Sequence, residues 1–269
     1  MSSRKLSEQE EMQLVKEYEQ GAKVKDLMIK YGYKTKKSIA DKVKKYGTEK
    51  AIRNNKENRK EYKIDLSEIN SEFVAYFIGL MLTDGYVAKD KTMFGIDLAD
   101  EDVIKFISQV TGQDYNYYEN ETKGRYRINF YNRDNQIQLA RFGIVPNKTY
   151  TLTVPPLKEK EYRFLPYIIR GIIDGDGCIG NTSYGEPYFS IATQSENFKN
   201  WLVEMLETKL YMNNINTYVN KNGLWEIMSA NQRNIRILDT LIYDKPYGMA
   251  RKYNKLKKMF RDYNKDSLV

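Results

Sequence analysis

Apolar residues recur along this chain at two periods, and the change of period divides it. From Ser7 to Tyr46 they return every three or four positions: Met12, Leu14, Val15 and Tyr18, then Val24, Leu27, Met28 and Tyr31, then Ile39, Val43 and Tyr46. Ser7-Glu-Gln-Glu10 is a capping box ahead of the first stripe, Gly21 and Gly32 end the first two, and Thr35 can cap the third. Three short helices with a glycine turn before the last predict a small all-α helix-turn-helix unit over residues 1–47. The pattern lapses over 48–65, where Arg53, Asn54, Asn55, Lys56, Asn58 and Arg59 make a polar, basic linker.

Beyond Leu66 helical runs alternate with short β-type runs. A helix leading to Gly85 is followed by a hairpin from Val87 to Leu98 around Lys89-Asp-Lys91, a helix from Glu101, a hairpin from Tyr115 to Tyr131 turning near Lys123-Gly124, and a helix from Arg133 to Phe142. The order then repeats: a helix to Gly177, strands near Ile179 and over Pro187–Thr193, a helix from Glu196 to Leu210, a hairpin around Lys221-Asn-Gly223, and a helix from Asn231. The prediction is an α+β body of two αββαββ(α) halves, residues 66–158 and 159–269. Tyr115, Tyr117, Tyr118, Tyr126 and Tyr131 are expected to pack the sheet.

The repeat is sharpest in Phe77-Ile-Gly-Leu-Met-Leu-Thr-Asp-Gly85 and Ile169-Arg-Gly-Ile-Ile-Asp-Gly-Asp-Gly177, which lie 92 residues apart. One Asp-Gly after an apolar helix is ordinarily a helix stop. Two matched copies, with Gly79 aligned to Gly171 and Asp84 to Asp176, ask for more. An inner glycine costs a helix ~0.5–1 kcal/mol, and close backbone approach of two helices repays it. Both carboxyl ends, with their partial negative charge, then meet. Two carboxylates ~4 Å apart repel by about 4 kcal/mol at an effective dielectric of ~20, so the pair calls for protons or a hard divalent cation such as Mg²⁺.

Charge narrows the function class. The chain of 269 residues carries 44 Lys+Arg, 36 Asp+Glu and a net charge of +8. Residues 1–62 hold 17 basic and 10 acidic side chains, leaving 27 and 26 for the rest. The basic excess therefore lies in the first unit, as expected of a nucleic-acid contact, with Lys36, Lys37 and Ser38 at the start of the recognition helix. With no histidine and one cysteine, histidine triads, histidine-metal nucleases, zincins and a disulfide framework are excluded. Cys178 is expected to be a small buried residue opening a strand. No apolar run long enough for a membrane span and no signal-type leader is present, so an intracellular setting, cytoplasmic or organellar, is expected.

The paired motifs resemble those of the LAGLIDADG homing endonucleases, and the resemblance runs from about Leu66 to Lys265. It departs at Leu82, where the family has its first acid, and at Thr83, where it has a small residue. The resemblance implies saddle-shaped antiparallel sheets astride double-stranded DNA and site-specific, Mg²⁺-dependent double-strand cleavage, with Mn²⁺ as a substitute and Ca²⁺ supporting binding alone. It implies Asp84 and Asp176 as metal ligands, with the backbone carbonyls of Thr83 and Gly175 beside them. Val145-Pro-Asn-Lys-Thr-Tyr-Thr-Leu152 resembles the stretch carrying a catalytic lysine, which points to Lys148; Lys252 takes the matching place in the second half, with Arg251 and Lys255 as competitors. Gln194 resembles the water-ordering residue, and its counterpart in the first half is Ala99. Lys89, Lys91, Arg125, Arg127, Tyr188 and Lys221 would face the DNA. Two motifs in one chain imply a monomer reading an asymmetric site. A non-cleaving DNA-binding regulator, or an intron RNA maturase, is the alternative on the same scaffold.

Overall fold

Capping and periodicity account for the first three helices: α1 (Glu8–Glu19), α2 (Val24–Tyr31) and α3 (Lys36–Tyr46). The Ser7 hydroxyl accepts from the Glu10 N–H while Glu10 accepts from Ser7, and the Thr35 hydroxyl accepts from the Ser38 N–H. Leu14, Val15, Leu27, Ile39 and Val43 form the core of this unit. Met12 departs from its predicted stripe and is 52% exposed, because the neighbouring buried position is taken by Glu11, ion-paired with Lys42. The computed structural model describes residues 6–48, 64–89, 93–120 and 123–266. Two compact units are present, Met1–Glu61 and Tyr62–Val269.

The second unit is built twice from the same parts. Helix α4 (Glu72–Thr83) leads into strands β1 (Gly85–Val87) and β2 (Phe94–Leu98), helix α5 (Glu101–Thr111), strands β3 (Tyr115–Asn120) and β4 (Lys123–Phe130), and helix α6 (Arg133–Ala140). The second half repeats this with α7 (Leu165–Asp176), β5 (Gly177–Asn181), β6 (Pro187–Thr193), α8 (Glu196–Glu204), β7 (Asn216–Val219), β8 (Trp225–Ser229) and α9 (Gln232–Ile237), and closes with α10 (Ala250–Asp266). Helices α8 and α9 each run on into a five-residue wide turn, Met205–Lys209 and Leu238–Ile242. Each half makes one four-stranded antiparallel sheet, β1-β2-β4-β3 and β5-β6-β8-β7. The αββαββ order was legible, since alternation and turn residues mark each hairpin.

Helices α4 and α7 pack on each other, α4 also against β1 and β2 and α7 against β5 and β6. Every residue from Val74 to Leu82 is buried, as are Leu165, Pro166 and Ile168–Asp174, so both helices are apolar nearly all round. Their contact is backbone on backbone. A Cβ on Gly79 would lie 2.2 Å from the Ile168 carbonyl oxygen and 2.9 Å from the Gly171 Cα; one on Gly171 would lie 2.3 Å from the Tyr76 carbonyl oxygen. The two glycines thus face each other across the crossing, as the repeat predicted.

Strand parity corrects one expectation. Gly177 pairs with Ile191 and Cys178 with Ser190, so Ile179 takes the core side and Cys178 is exposed. Of the tyrosines, Tyr115 and Tyr126 pack on the core, but Tyr117 and Tyr131 are each 54% exposed. Tyr118 hydrogen-bonds to Asp97 on the solvent face.

Candidate active site

Because α4 and α7 cross at matched glycines and end within one residue of matched positions, Asp84 and Asp176 stand at the two helix ends together. The Asp84 carboxylate lies over Gly175: a Cβ there would stand 2.5 Å from Asp84 Oδ2 and 2.0 Å from Thr83 Oγ1. A side chain at 175 would displace the acid, which gives the second motif's glycine its reason. Asp84 Oδ2 is buried and without a hydrogen-bond partner. Burial pushes the Asp84 carboxyl up to about 6, the Asp176 charge adds to the rise, and Lys252 and Lys148 oppose it. Asp176 is exposed where Asp84 is not; desolvation by the helix ends around it still raises its carboxyl, opposed first by Lys148 and then by Lys252.

Each lysine closes the carboxyl end of a motif helix. Asn147 takes a left-handed conformation (φ 60°), which asparagine tolerates, and turns the chain so that Lys148 runs inward. Lys148 Nζ donates to the carbonyls of Thr83 (3.0 Å) and Gly85 (2.8 Å) at the end of α4. Lys252 Nζ donates to those of Ile173 (2.6 Å) and Asp174 (2.8 Å) at the end of α7. Both side chains are buried, at 7% and 4% exposure. They satisfy orphan carbonyls and the negative end of the helix dipole. An ammonium has three donors, so each lysine keeps one for another partner. Burial lowers both ammonium groups, Lys252 to about 8. Of its competitors, Arg251 is held by Asp100 (2.6 Å) and Lys255 points to solvent, which leaves Lys252 as the lysine at the site.

A pocket of about 210 Å³ opens beside Asp176, lined among others by Thr83, Lys148, Thr193 and Gln194. A carboxylate and glutamine of the second half there meet a lysine and a threonine of the first. Gly85 pairs with Ile96 and Gly177 with Ile191, so the offset between halves has grown to 95 residues at this strand. Ala99 is therefore the counterpart of Gln194, whereas a uniform 92 would give Asp102. The Asp84 side has no amide at that point.

Several supporting residues were not anticipated. Asp174 accepts from the hydroxyls of Tyr76 (2.9 Å) and Tyr243 (2.6 Å) and from the Met249 N–H (3.0 Å), and so ties the start of α10, with Lys252, to the motif helix. Asp102 accepts from the Ala250 N–H beside it. Arg170 is fully buried, donates to the carbonyls of Lys245 and Tyr247, and lies 3.8 Å from the Tyr247 ring centroid. The signal for Arg170 was a lone charge inside an apolar helix; Asp174 had one in its place within the motif.

The remaining candidates lie elsewhere. Arg125 and Arg127 are on the solvent face of the first sheet, ion-paired with Asp97. Tyr188 is on the second sheet with its hydroxyl 3.9 Å from Cys178 Sγ; Lys221 is exposed in the β7–β8 turn and Lys89 after β1. Lys36 and Lys37 are exposed at the start of α3, and Ser38 is engaged with the Thr35 cap. Arg53, Lys56, Arg59 and Lys91 fall outside the described residues.

No family model and no curated protein matches this sequence. Solved structures do match in shape. A lysine-to-alanine mutant of I-SmaMI aligns with 72% of this chain and 93% of its own at 10% identity and a TM-score of 0.50. The LAGLIDADG meganuclease I-AabMI bound to uncleaved DNA aligns with 71% and 91% at 12% identity and a TM-score of 0.47. The I-LtrWI LAGLIDADG homing endonuclease bound to target DNA aligns with 76% and 94% at 13% identity and a TM-score of 0.46. Two antiparallel sheets on a pair of glycine-packed motif helices give this chain the fold of the LAGLIDADG homing endonucleases.

Proposed function

We propose that the protein is a site-specific double-strand DNA endonuclease dependent on Mg²⁺. The observation that carries this is the twin carboxylate at the tips of α4 and α7, with a buried, unpartnered Asp84 Oδ2 and two raised carboxyl groups. Such a pair fits a hard divalent cation. Among the described residues no cluster of three or more acids, cysteines or histidines surrounds it, so waters and phosphate oxygens would complete the shell. Asp84 and Asp176 would hold the metal, with the Gly175 carbonyl as a further oxygen; the Thr83 carbonyl accepts from Lys148 and would join only if that lysine turned to the phosphate. When bound, the cation supplies Lewis acidity at the phosphate and lowers the pKa of water.

The side chains supply the rest. Lys148 lines the pocket at Asp176, and the Lys252 charge acts on the Asp84 carboxyl; with one donor left on each, both would steady charge gathering on a phosphate. Gln194 can orient a water beside Asp176 through its amide. On this reading each centre would join an acid from one half to a lysine from the other, so each strand of a duplex would meet parts of both. The chain holds both halves and needs no second copy to pair the acids.

The test is cleavage of a randomised supercoiled plasmid library in Mg²⁺, with discrete ends mapped by sequencing. Asp84→Asn and Asp176→Asn should reduce double-strand cutting by at least 100-fold (on the order of one charge-stabilising group removed) and leave nicking at most, while duplex binding in Ca²⁺ persists. Full double-strand cutting by either variant rejects the reading.

A further inference from the structure

The segments that deliver the two lysines lean on the opposite half. Residues 245–251 belong to the second half and lead into Lys252. Arg170 and Asp174 steady them from their own half, but their charged side chains reach the first. Lys245 Nζ donates to both oxygens of Glu72 (2.7 and 2.8 Å), and Arg251 donates to Asp100 through Nε (2.6 Å) and Nη2 (3.1 Å). The Ala250 N–H donates to Asp102 Oδ2 (2.7 Å). Between these anchors the Tyr247 ring stands edge-on to Tyr76, 5.3 Å between centroids, and 5.5 Å from Phe106. The segment after Lys148 follows the same rule in reverse. The Leu152 carbonyl accepts from the Ser195 hydroxyl (2.7 Å), and the Thr153 hydroxyl from the Asn197 amide (3.2 Å).

These anchors occupy matched positions. Asp100 and Ser195 are the N-caps of α5 and α8, with Asp102 and Asn197 two residues on, at the 95-residue offset of the neighbouring strands. Their chemistry differs. Ser195 is 1% exposed and serves twice, accepting from the Phe198 N–H (3.2 Å) as the cap of α8 while it holds Leu152. An aspartate at an N-cap ordinarily accepts an N–H of the first turn. Asp100 makes no such bond and gives its two oxygens to Arg251.

The forgone cap bond marks the Asp100 carboxylate as placed for the segment across the boundary. One exposed ion pair holds little. Here two ion pairs, a carboxylate on a backbone N–H and a seated ring act together within residues 245–251, and Lys252 is next in the chain. Resting on the nuclease reading above, we propose that Asp100 and Asp102 are positioning residues for Lys252, an ionic clasp where the Lys148 segment has a neutral one. Salt screens exposed charges and leaves a buried hydroxyl bond alone. The two strands of a duplex are then cut with different dependence on salt.

The test uses the full chain at saturating concentration on a target duplex labelled on each strand, with Lys252→Gln marking the strand that this lysine serves. Asp100→Asn with Asp102→Asn, and Arg251→Gln alone, should slow that strand by about tenfold or more, part of what an ångström of misplacement costs. The other strand should stay within about twofold, so that nicked duplex accumulates. Exchanging the pair, Asp100→Arg with Arg251→Asp, should recover the rate, which general loss of structure would not allow. Added salt should slow the same strand first in the unaltered protein. A second readout needs no cutting: Lys252 is 4% exposed, and acylation by an amine-reactive ester, read by mass spectrometry, should quicken about tenfold in the Asp100→Asn, Asp102→Asn variant. Lys148 should be unaffected. Equal slowing of both strands, or unchanged acylation of Lys252, overturns the proposal. If the unaltered protein cuts no duplex while the variant frees Lys252 alone, the nuclease reading falls and the clasp stands.

Discussion

Asp84 is the residue at which fold and site conflict most. A carboxylate whose folded pKa stands near 6, against an ordinary 3.8, binds protons more tightly in the native state. Its contribution to stability is complete below the ordinary value and is lost as pH rises through 6. At neutral pH the ionised acid therefore costs the unliganded protein roughly 2 kcal/mol, counting 1.36 kcal/mol per unit and discounting for partial solvent access. Asp84→Asn should raise the free energy of urea unfolding at pH 7.5 by about that amount and leave it nearly unchanged at pH 4, where the acid is already neutral. Mg²⁺ or Ca²⁺ should raise the melting temperature of the unaltered protein and do so much less in the variant. Equal unfolding at both pH values would show that Asp84 is not strained. Lys252, lowered to about 8, shifts in the opposite sense. It stays charged below that value, so cleavage of the strand at the Asp84 centre should fall as pH passes 8. A strand-resolved cleavage assay reads this directly, and a flat profile to pH 9.5 would deny the lysine a charged role there.

At the scale of elements the central joint is the crossing of α4 and α7. A methyl at Gly79 would meet a carbonyl oxygen at 2.2 Å, and neither helix can yield without moving a whole half. Gly79→Ala or Gly171→Ala should cost roughly 3 kcal/mol or more by urea unfolding, the upper end for overpacking. Gly112→Ala is the control: φ is +74° with open space around it, so the cost should be that of backbone strain alone, about 1 kcal/mol. If Gly79→Ala cost no more than Gly112→Ala, the helices would not be in backbone contact. This joint was legible in the sequence because an inner glycine weakens a helix, and its recurrence in a second helix is repaid by close backbone approach. The hairpins were legible from alternation and turn residues. Cys178, Arg125, Arg127 and Arg251 were not, because their surroundings depend on which residue the neighbouring strand or half presents. Cys178 turned outward through pairing parity, and the arginines found Asp97 and Asp100 across gaps of 28 and 151 residues. Motif spacing carries helix-to-helix geometry; cross-strand charge partners leave no local trace.

In the whole molecule, the basic excess and the carboxylate pair belong to different units. The second unit is close to neutral and sets its charge by face, while residues 1–62 carry most of the net positive charge. In the first unit the exposed Lys36 and Lys37 stand at the start of α3, whose inner face is closed by Ile39 and Val43. Such a helix has nothing to bury on its outer face and two cations at the end that a recognition helix would put foremost. We infer a role in duplex affinity, through phosphates, that is separable from cutting. Removing residues 1–60 should weaken duplex binding at physiological salt, with the slope of log K against log salt shallower by about 0.9 for each phosphate no longer neutralised. Cleavage at saturating protein should persist at a comparable rate, since α4 and α7 and both lysines remain. Lys36→Gln with Lys37→Gln in the full chain should reproduce part of the change, up to about 2 in slope. A truncated protein with an unaltered slope would mean the lysines face solvent only. One that keeps the slope but stops cutting would make the first unit part of the catalytic assembly, and the separation of affinity from chemistry would fail.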